Sequence, residues 1–128
     1  MAENLINNQS YGWVPGVSKE RFDEYTPFAC GTYIGTGTGS GTWNDIDLGR
    51  RPKAVLISED GYMFTADYGT STTAYYGVLV IDGTPCSRDG IDFAKITSTG
   101  FSVQYASGSG WIAGINDNGK TYHYIAFL

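Results

Sequence analysis

His123 is the single histidine of this chain, so acid–base or metal chemistry near neutral pH would start from it. It stands in Lys120-Thr121-Tyr122-His123-Tyr124-Ile125-Ala126-Phe127, with no second histidine and no cysteine beside it. A zinc site gathers several such ligands, so neither a metal nor a cofactor is expected. A nucleophilic serine needs a strained turn such as Gly-x-Ser-x-Gly. Gly108-Ser109-Gly110 comes nearest, but Ala106-Ser107 before it and Trp111 after it make it a loop. Glycoside hydrolysis needs paired carboxylates, and the candidates are Asp45 with Asp47, Glu59 with Asp60, and Asp89 with Asp92. Acidic residues in turns and on solvated strand faces ordinarily serve solubility and blunt sheet edges. The chain is therefore expected not to be an enzyme.

Aromatic side chains in polar loops carry the stronger signal. Tyr62, Tyr68, Tyr75, Tyr76 and Trp111 lie in or beside segments rich in Gly, Ser and Thr. A ring of this kind stacks on the apolar face of a sugar, while Asp, Asn or backbone groups bind the hydroxyls. Asp67 adjoins Tyr68, and Asp117 and Asn118 occupy the turn before the last strand. The candidate glycan site is accordingly Tyr68, Asp67, Trp111, Asp117 and Asn118. Large rings also fill the core of a small β domain. Tyr68 and Trp111 fit either role, whereas Tyr76, Tyr122 and Tyr124 are assigned to the core.

Strands must position these residues. Trp43–Leu48 alternates apolar and polar residues as a half-buried strand does. Lys53–Ser58 is a β-branched run suited to a central strand, ended by Glu59-Asp60-Gly61. Residues 62–75 read as a long loop or a short ragged strand with a loop. Tyr76–Ile81 is a strand closed by the turn Asp82-Gly83. Ile91–Ile96 is predicted to pair with Gly100–Tyr105 through Thr97-Ser98-Thr99. Trp111–Ile115 and Lys120–Phe127 flank Asn116–Gly119, where Asn118-Gly119 is the best hairpin signal of the chain. The Gly/Thr run Gly31–Gly41 lacks the Lys-Ser/Thr of a phosphate loop and reads as a strand and turn. The predicted fold is all-β, an antiparallel β-sandwich over residues 31–128. An N-terminal arm, residues 1–30, precedes it. Within the arm Ser18–Tyr25 is the one plausible helical turn, stopped by Pro27, and Trp13, Phe22 and Tyr25 must pack on this domain or on a neighbouring subunit.

Composition sets the limits. With 18 Gly and 10 Tyr among 128 residues, strands and tight turns are favoured over helices. The net charge of −5, with basic residues clustered only at Arg50, Arg51 and Lys53, argues against nucleic acid as a partner. No apolar run approaches the ~20 residues of a membrane span, so membrane insertion is not expected. Met1–Ile6 has neither the basic start nor the apolar stretch of a signal peptide, so synthesis in a cytoplasm is expected. Cys30 and Cys86 belong to no metal or redox spacing and are read as two buried or half-buried thiols, with a single bridge the alternative.

Two segments, Leu48-Gly49-Arg50-Arg51-Pro52-Lys53-Ala54-Val55-Leu56-Ile57 and Asn116-Asp117-Asn118-Gly119-Lys120-Thr121-Tyr122-His123-Tyr124-Ile125-Ala126-Phe127, support a comparison. With the Gly/Thr-rich strand before them and Ile96–Val103 between, they resemble a β-sandwich domain of bacteriophage and prophage tail proteins, often C-terminal in tail fibres. In that group Leu-Gly-x-x-Pro-Lys precedes a buried strand and Asn-x-x-Gly-x-x-Tyr-x-Tyr-x-Ala-Phe closes the domain. The resemblance covers roughly residues 31–128, and its motifs are structural. Pro52–Ile57 and Thr99–Val103 are also similar to the H-type lectin sandwich. The resemblance implies a virion protein made in a bacterial cytoplasm, a homo-oligomer, trimeric by expectation, that meets other tail proteins and a host surface glycan. A purely structural tail component, or a lectin-like protein outside a virion, are the alternatives.

Overall fold

Alternating burial decides which side of each strand meets the core. In the segment Ala54–Glu59, Val55, Ile57 and Glu59 are buried while Ala54, Leu56 and Ser58 are only half-buried. The computed structural model describes residues 27–39, 41–69 and 71–128. In chain order its strands are β1 (Phe28–Ile34), β2 (Asn44–Asp47), β3 (Ala54–Glu59), β4 (Thr65–Asp67), β5 (Thr73–Tyr75) and β6 (Gly77–Ile81). They continue with β7 (Cys86–Arg88), β8 (Ile91–Ile96), β9 (Gly100–Val103), β10 (Ala106–Gly108), β11 (Trp111–Ala113) and β12 (Thr121–Phe127). No helix occurs among the described residues. The helical turn expected at Ser18–Tyr25 lies outside them.

The strands form three four-stranded sheets, ordered β1-β12-β3-β6, β2-β9-β8-β7 and β10-β11-β5-β4. Every pairing is antiparallel except β11 with β5. The expected all-β sandwich is thus present, with β3 central as its apolar run predicts. The β8–β9 hairpin also forms, with Thr97 N donating to Gly100 O at 2.9 Å. Residues 62–75 resolve into the short paired strands β4 and β5.

The predicted final hairpin does not form. The turn is real: Lys120 N donates to Asp117 O at 3.1 Å, and Gly119 takes a φ of 77°. Yet β11 pairs with β10 and β5, whereas β12 pairs with β1 and β3 over its length. Turn residues specify a chain reversal but not the partner strand. Here the seven-residue register of β1 with β12 wins, and the turn carries the chain from one sheet to another.

Aromatic contacts knit the sheets into one core. Tyr33 stacks on Tyr122 at 4.9 Å and meets the edge of Phe101 at 5.8 Å. Phe101 reaches Tyr124, and Phe93 lies between Tyr75 and Trp111. Such pairs contribute about 0.5–1.5 kcal/mol each beyond the area they bury. The opposite face of the β1-β12-β3-β6 sheet is also apolar. Register aligns Phe28, Phe127, Ala54 and Ile81 in one row and Cys30, Ile125, Leu56 and Leu79 in the next. Phe28, Phe127, Ile81, Ile125 and Leu79 in these rows are exposed.

Both cysteines are free. Cys86 is half-buried, its thiol pointing to Leu79 O at 3.3 Å, and burial pushes its pKa up. Cys30, by contrast, is exposed rather than buried. The reason is register: alternation along β1 sends Tyr33 inward and Cys30 outward.

Candidate functional site

The end of β3 opens onto a group of tyrosines. Glu59 keeps the inward phase of Val55 and Ile57 and is only 5% exposed. The chain then turns tightly, with Tyr62 N donating to Glu59 O at 3.1 Å and Gly61 at a φ of 79°. That turn lays the Tyr62 ring 4.7 Å from the Tyr76 ring. Tyr76 is itself fixed through its backbone, since Glu59 N donates to Tyr76 O at 2.8 Å and Tyr76 N to Phe64 O at 2.7 Å. The Tyr68 hydroxyl is hydrogen-bonded to the Tyr76 hydroxyl.

Asp117 arrives from the other side. A Cβ at Gly114 would lie 3.2 Å from both Asp117 Oδ2 and Tyr76 Cε1, so the carboxylate and the ring converge over this glycine. Tyr122 holds the segment in place: its hydroxyl donates to Gly114 O at 2.8 Å and accepts from Asp117 N at 2.9 Å. Tyr33 adds a bond from its hydroxyl to Ile115 O at 2.6 Å.

The electrostatics follow from burial. Burial raises the Glu59 pKa, with Lys120 pulling it back and Asp117 pushing it further up. Burial likewise raises Asp117, opposed by Lys120. Tyr76 is held neutral, first by its bond with Tyr68 and then by burial. Among the described residues Glu59 Oε1 has no hydrogen-bond partner. The result is a half-exposed shelf of phenol rings with a carboxylate acceptor at one side. It suits stacking on, and hydrogen bonding to, a polyhydroxylated ring.

Of the predicted site residues, Tyr68 and Asp117 are brought together through Tyr76. Asp67 is exposed beside Tyr68 at the end of β4. Asn118 is exposed in the turn and lies against Gly37, where a Cβ would meet Asn118 Cβ at 2.8 Å. Trp111 is not a site residue. It is 1% exposed and its Nε1 donates to Asp89 Oδ2 at 2.7 Å. β11 lies between β10 and β5, which leaves its inward ring no route to solvent. Tyr122 belongs to the core as assigned; Tyr76 is half-buried and shared between core and shelf. Sequence reading named Glu59 as the end of a strand and as a carboxylate candidate with Asp60, but missed its inward placement beside the tyrosines. The signal was present, because counting by two from Val55 and Ile57 places it inward.

Asp45, Asp47, Asp60 and Asp89 of the remaining acidic candidates have partners elsewhere. Asp45 accepts from Ser102 Oγ, and Asp47 Oδ1 accepts from Gly49 N at 2.8 Å. Asp60 faces His123 at 3.0 Å on the opposite side of the sheet from Glu59. In the basic cluster, Arg51 is clamped on Asp82 by three contacts of 2.6–3.0 Å.

No family model, curated protein or solved structure matches this chain.

One consequence is measurable at once. Glu59 has a raised pKa in the folded state, so the folded chain binds its proton more tightly than the unfolded chain. Its contribution to stability is complete below the ordinary glutamate value of 4.5 and is lost as pH rises through the raised folded value. Glu59→Gln is expected to remove that fall and to stabilise the protein at neutral pH by about 1 kcal/mol. Urea denaturation of both proteins at acidic and neutral pH checks this. Parallel pH profiles would contradict it.

Proposed function

We propose that this chain is a non-enzymatic carbohydrate-binding module of a bacteriophage or prophage tail, working in the virion as a homo-oligomer on host surface glycan. The observation that carries the binding role is the convergence of Tyr62, Tyr68 and Tyr76 with Asp117 at one edge of the sandwich. Kinship with tail proteins rests on the Leu48–Ile57 and Asn116–Phe127 segments. The exposed apolar rows across β1, β12, β3 and β6 supply a surface for assembly, with a trimer as the expected state. In such an assembly weak sites gain avidity from their high effective concentration.

A glycan array followed by titration of the best binder tests the reading. Tyr62 and Tyr68 are 50% and 49% exposed, so Tyr62→Ala and Tyr68→Ala leave the fold intact. Each is expected to weaken binding roughly tenfold, since one ring stacked on a ligand contributes about 1–2 kcal/mol. Binding unchanged in both variants would remove the shelf from consideration. The second reading, a structural tail component without ligand, draws on the apolar face alone. An intact oligomer by light scattering with no glycan bound would select it.

A further inference from the structure

We propose that a second site, the groove between the edge strands β6 and β7, binds a ring-shaped monocarboxylate through Arg88. The groove has a volume of about 470 Å³ and is lined by Tyr75, Val78, Leu79, Pro85, Phe93 and Arg88 among others. That volume lies within the ~300–1,000 Å³ usual for small-molecule sites. β6 closes one sheet and β7 another, so the groove is a seam between sheets.

Arg88 is the feature that selects a ligand. It is half-buried, and its guanidinium carbon lies 5.9 Å from the Tyr75 ring centroid and 5.8 Å from that of Trp111. Its Nη1 donates to the Tyr75 hydroxyl at 2.6 Å. These contacts fix the fork, yet they use only part of a group with five N–H donors. The nearest acid in sequence, Asp89, is turned to the indole of Trp111 instead. Among the described residues no carboxylate forms an ion pair with Arg88. A half-buried arginine held in place without a carboxylate is unusual in a chain of net charge −5.

Arginine's planar fork matches a carboxylate through two parallel hydrogen bonds. No other charged residue lines the groove among those described, which favours one negative charge over the two of a phosphate monoester. The Tyr75 and Phe93 rings with Val78 and Leu79 offer an apolar wall to the body of the ligand. Ring and carboxylate together describe a uronic-acid sugar or an aryl carboxylate.

Amide chemical-shift titration of the whole chain with glucuronate, benzoate and glucose tests the proposal. Glucuronate or benzoate is expected to shift the amides of Val78, Leu79, Ser87 and Arg88 saturably, and glucose is not. Whichever acid binds more tightly names the source. Arg88→Gln is expected to weaken binding roughly tenfold. Should that variant unfold, Ser87→Glu places a like charge on an exposed wall residue outside the apolar rows and is expected to weaken binding as well. Equal shifts with glucose, no saturable shift with either acid, or unchanged binding in a folded variant would overturn the proposal. The site is independent of the tyrosine shelf: Tyr68→Ala leaves these shifts in place, so failure of either reading is seen separately.

Discussion

Asn116→Ala is expected to lower the unfolding free energy by about 3 kcal/mol, although this residue touches no candidate ligand. Asn116 is fully buried, and all of its side-chain capacity is used. Its Oδ1 accepts from Thr36 N at 3.0 Å and from Asn44 Nδ2 at 2.9 Å. Its Nδ2 donates to Thr36 Oγ1 and Thr38 Oγ1, both at 3.0 Å. One side chain therefore ties the Gly/Thr segment after β1 and the start of β2 to the crossing that leads into β12. Alanine would leave several of these partners unpaired, and each unsatisfied group costs about 1–3 kcal/mol where it is shielded from water. Urea unfolding followed by circular dichroism checks the value. A loss below about 1 kcal/mol would mean that water replaces the network at little cost.

Trp111→Ala should cost still more, about 4 kcal/mol, within the range for deleting a buried tryptophan. The ring is 1% exposed, packs on Phe93 and supports the Arg88 guanidinium. Its loss opens a cavity, and Asp89 loses its indole donor. Trp111→Phe retains most of the volume and should lose roughly 1–2 kcal/mol, chiefly the hydrogen bond. Tyr68→Ala provides the contrast, with stability within about 0.5 kcal/mol of the parent because its ring is half-exposed. Denaturant midpoints of the three variants are the measurement. If Trp111→Ala were as mild as Tyr68→Ala, the indole would belong to the surface after all.

The contrast between these two aromatics marks how far residue order alone could be read. Both stand beside polar loop residues, and local pattern fits either role for each. What separates them is the sheet to which each belongs. β11 lies between two strands and turns its tryptophan inward, whereas Tyr68 follows the edge strand β4. Asn116 shows the same limit. In the chain it looks like the first residue of a polar turn, yet the fold buries it because the turn is a crossing between sheets. Arg88 and Tyr75 are 13 positions apart in sequence and come together only because β5 and β7 belong to adjoining sheets.

Period-two hydrophobicity and turn residues were enough to establish that this chain is all-β, that β3 is central, and that β8 pairs with β9. These properties depend on contacts between near neighbours and on which face of a strand is apolar. Pairing of β12 with β1, burial of Glu59 at the tyrosine shelf and the position of Arg88 in its groove were decided only in three dimensions. They arise from competition among strands far apart in the chain, and that competition is settled by whole registers and shared core volume, which no local window contains.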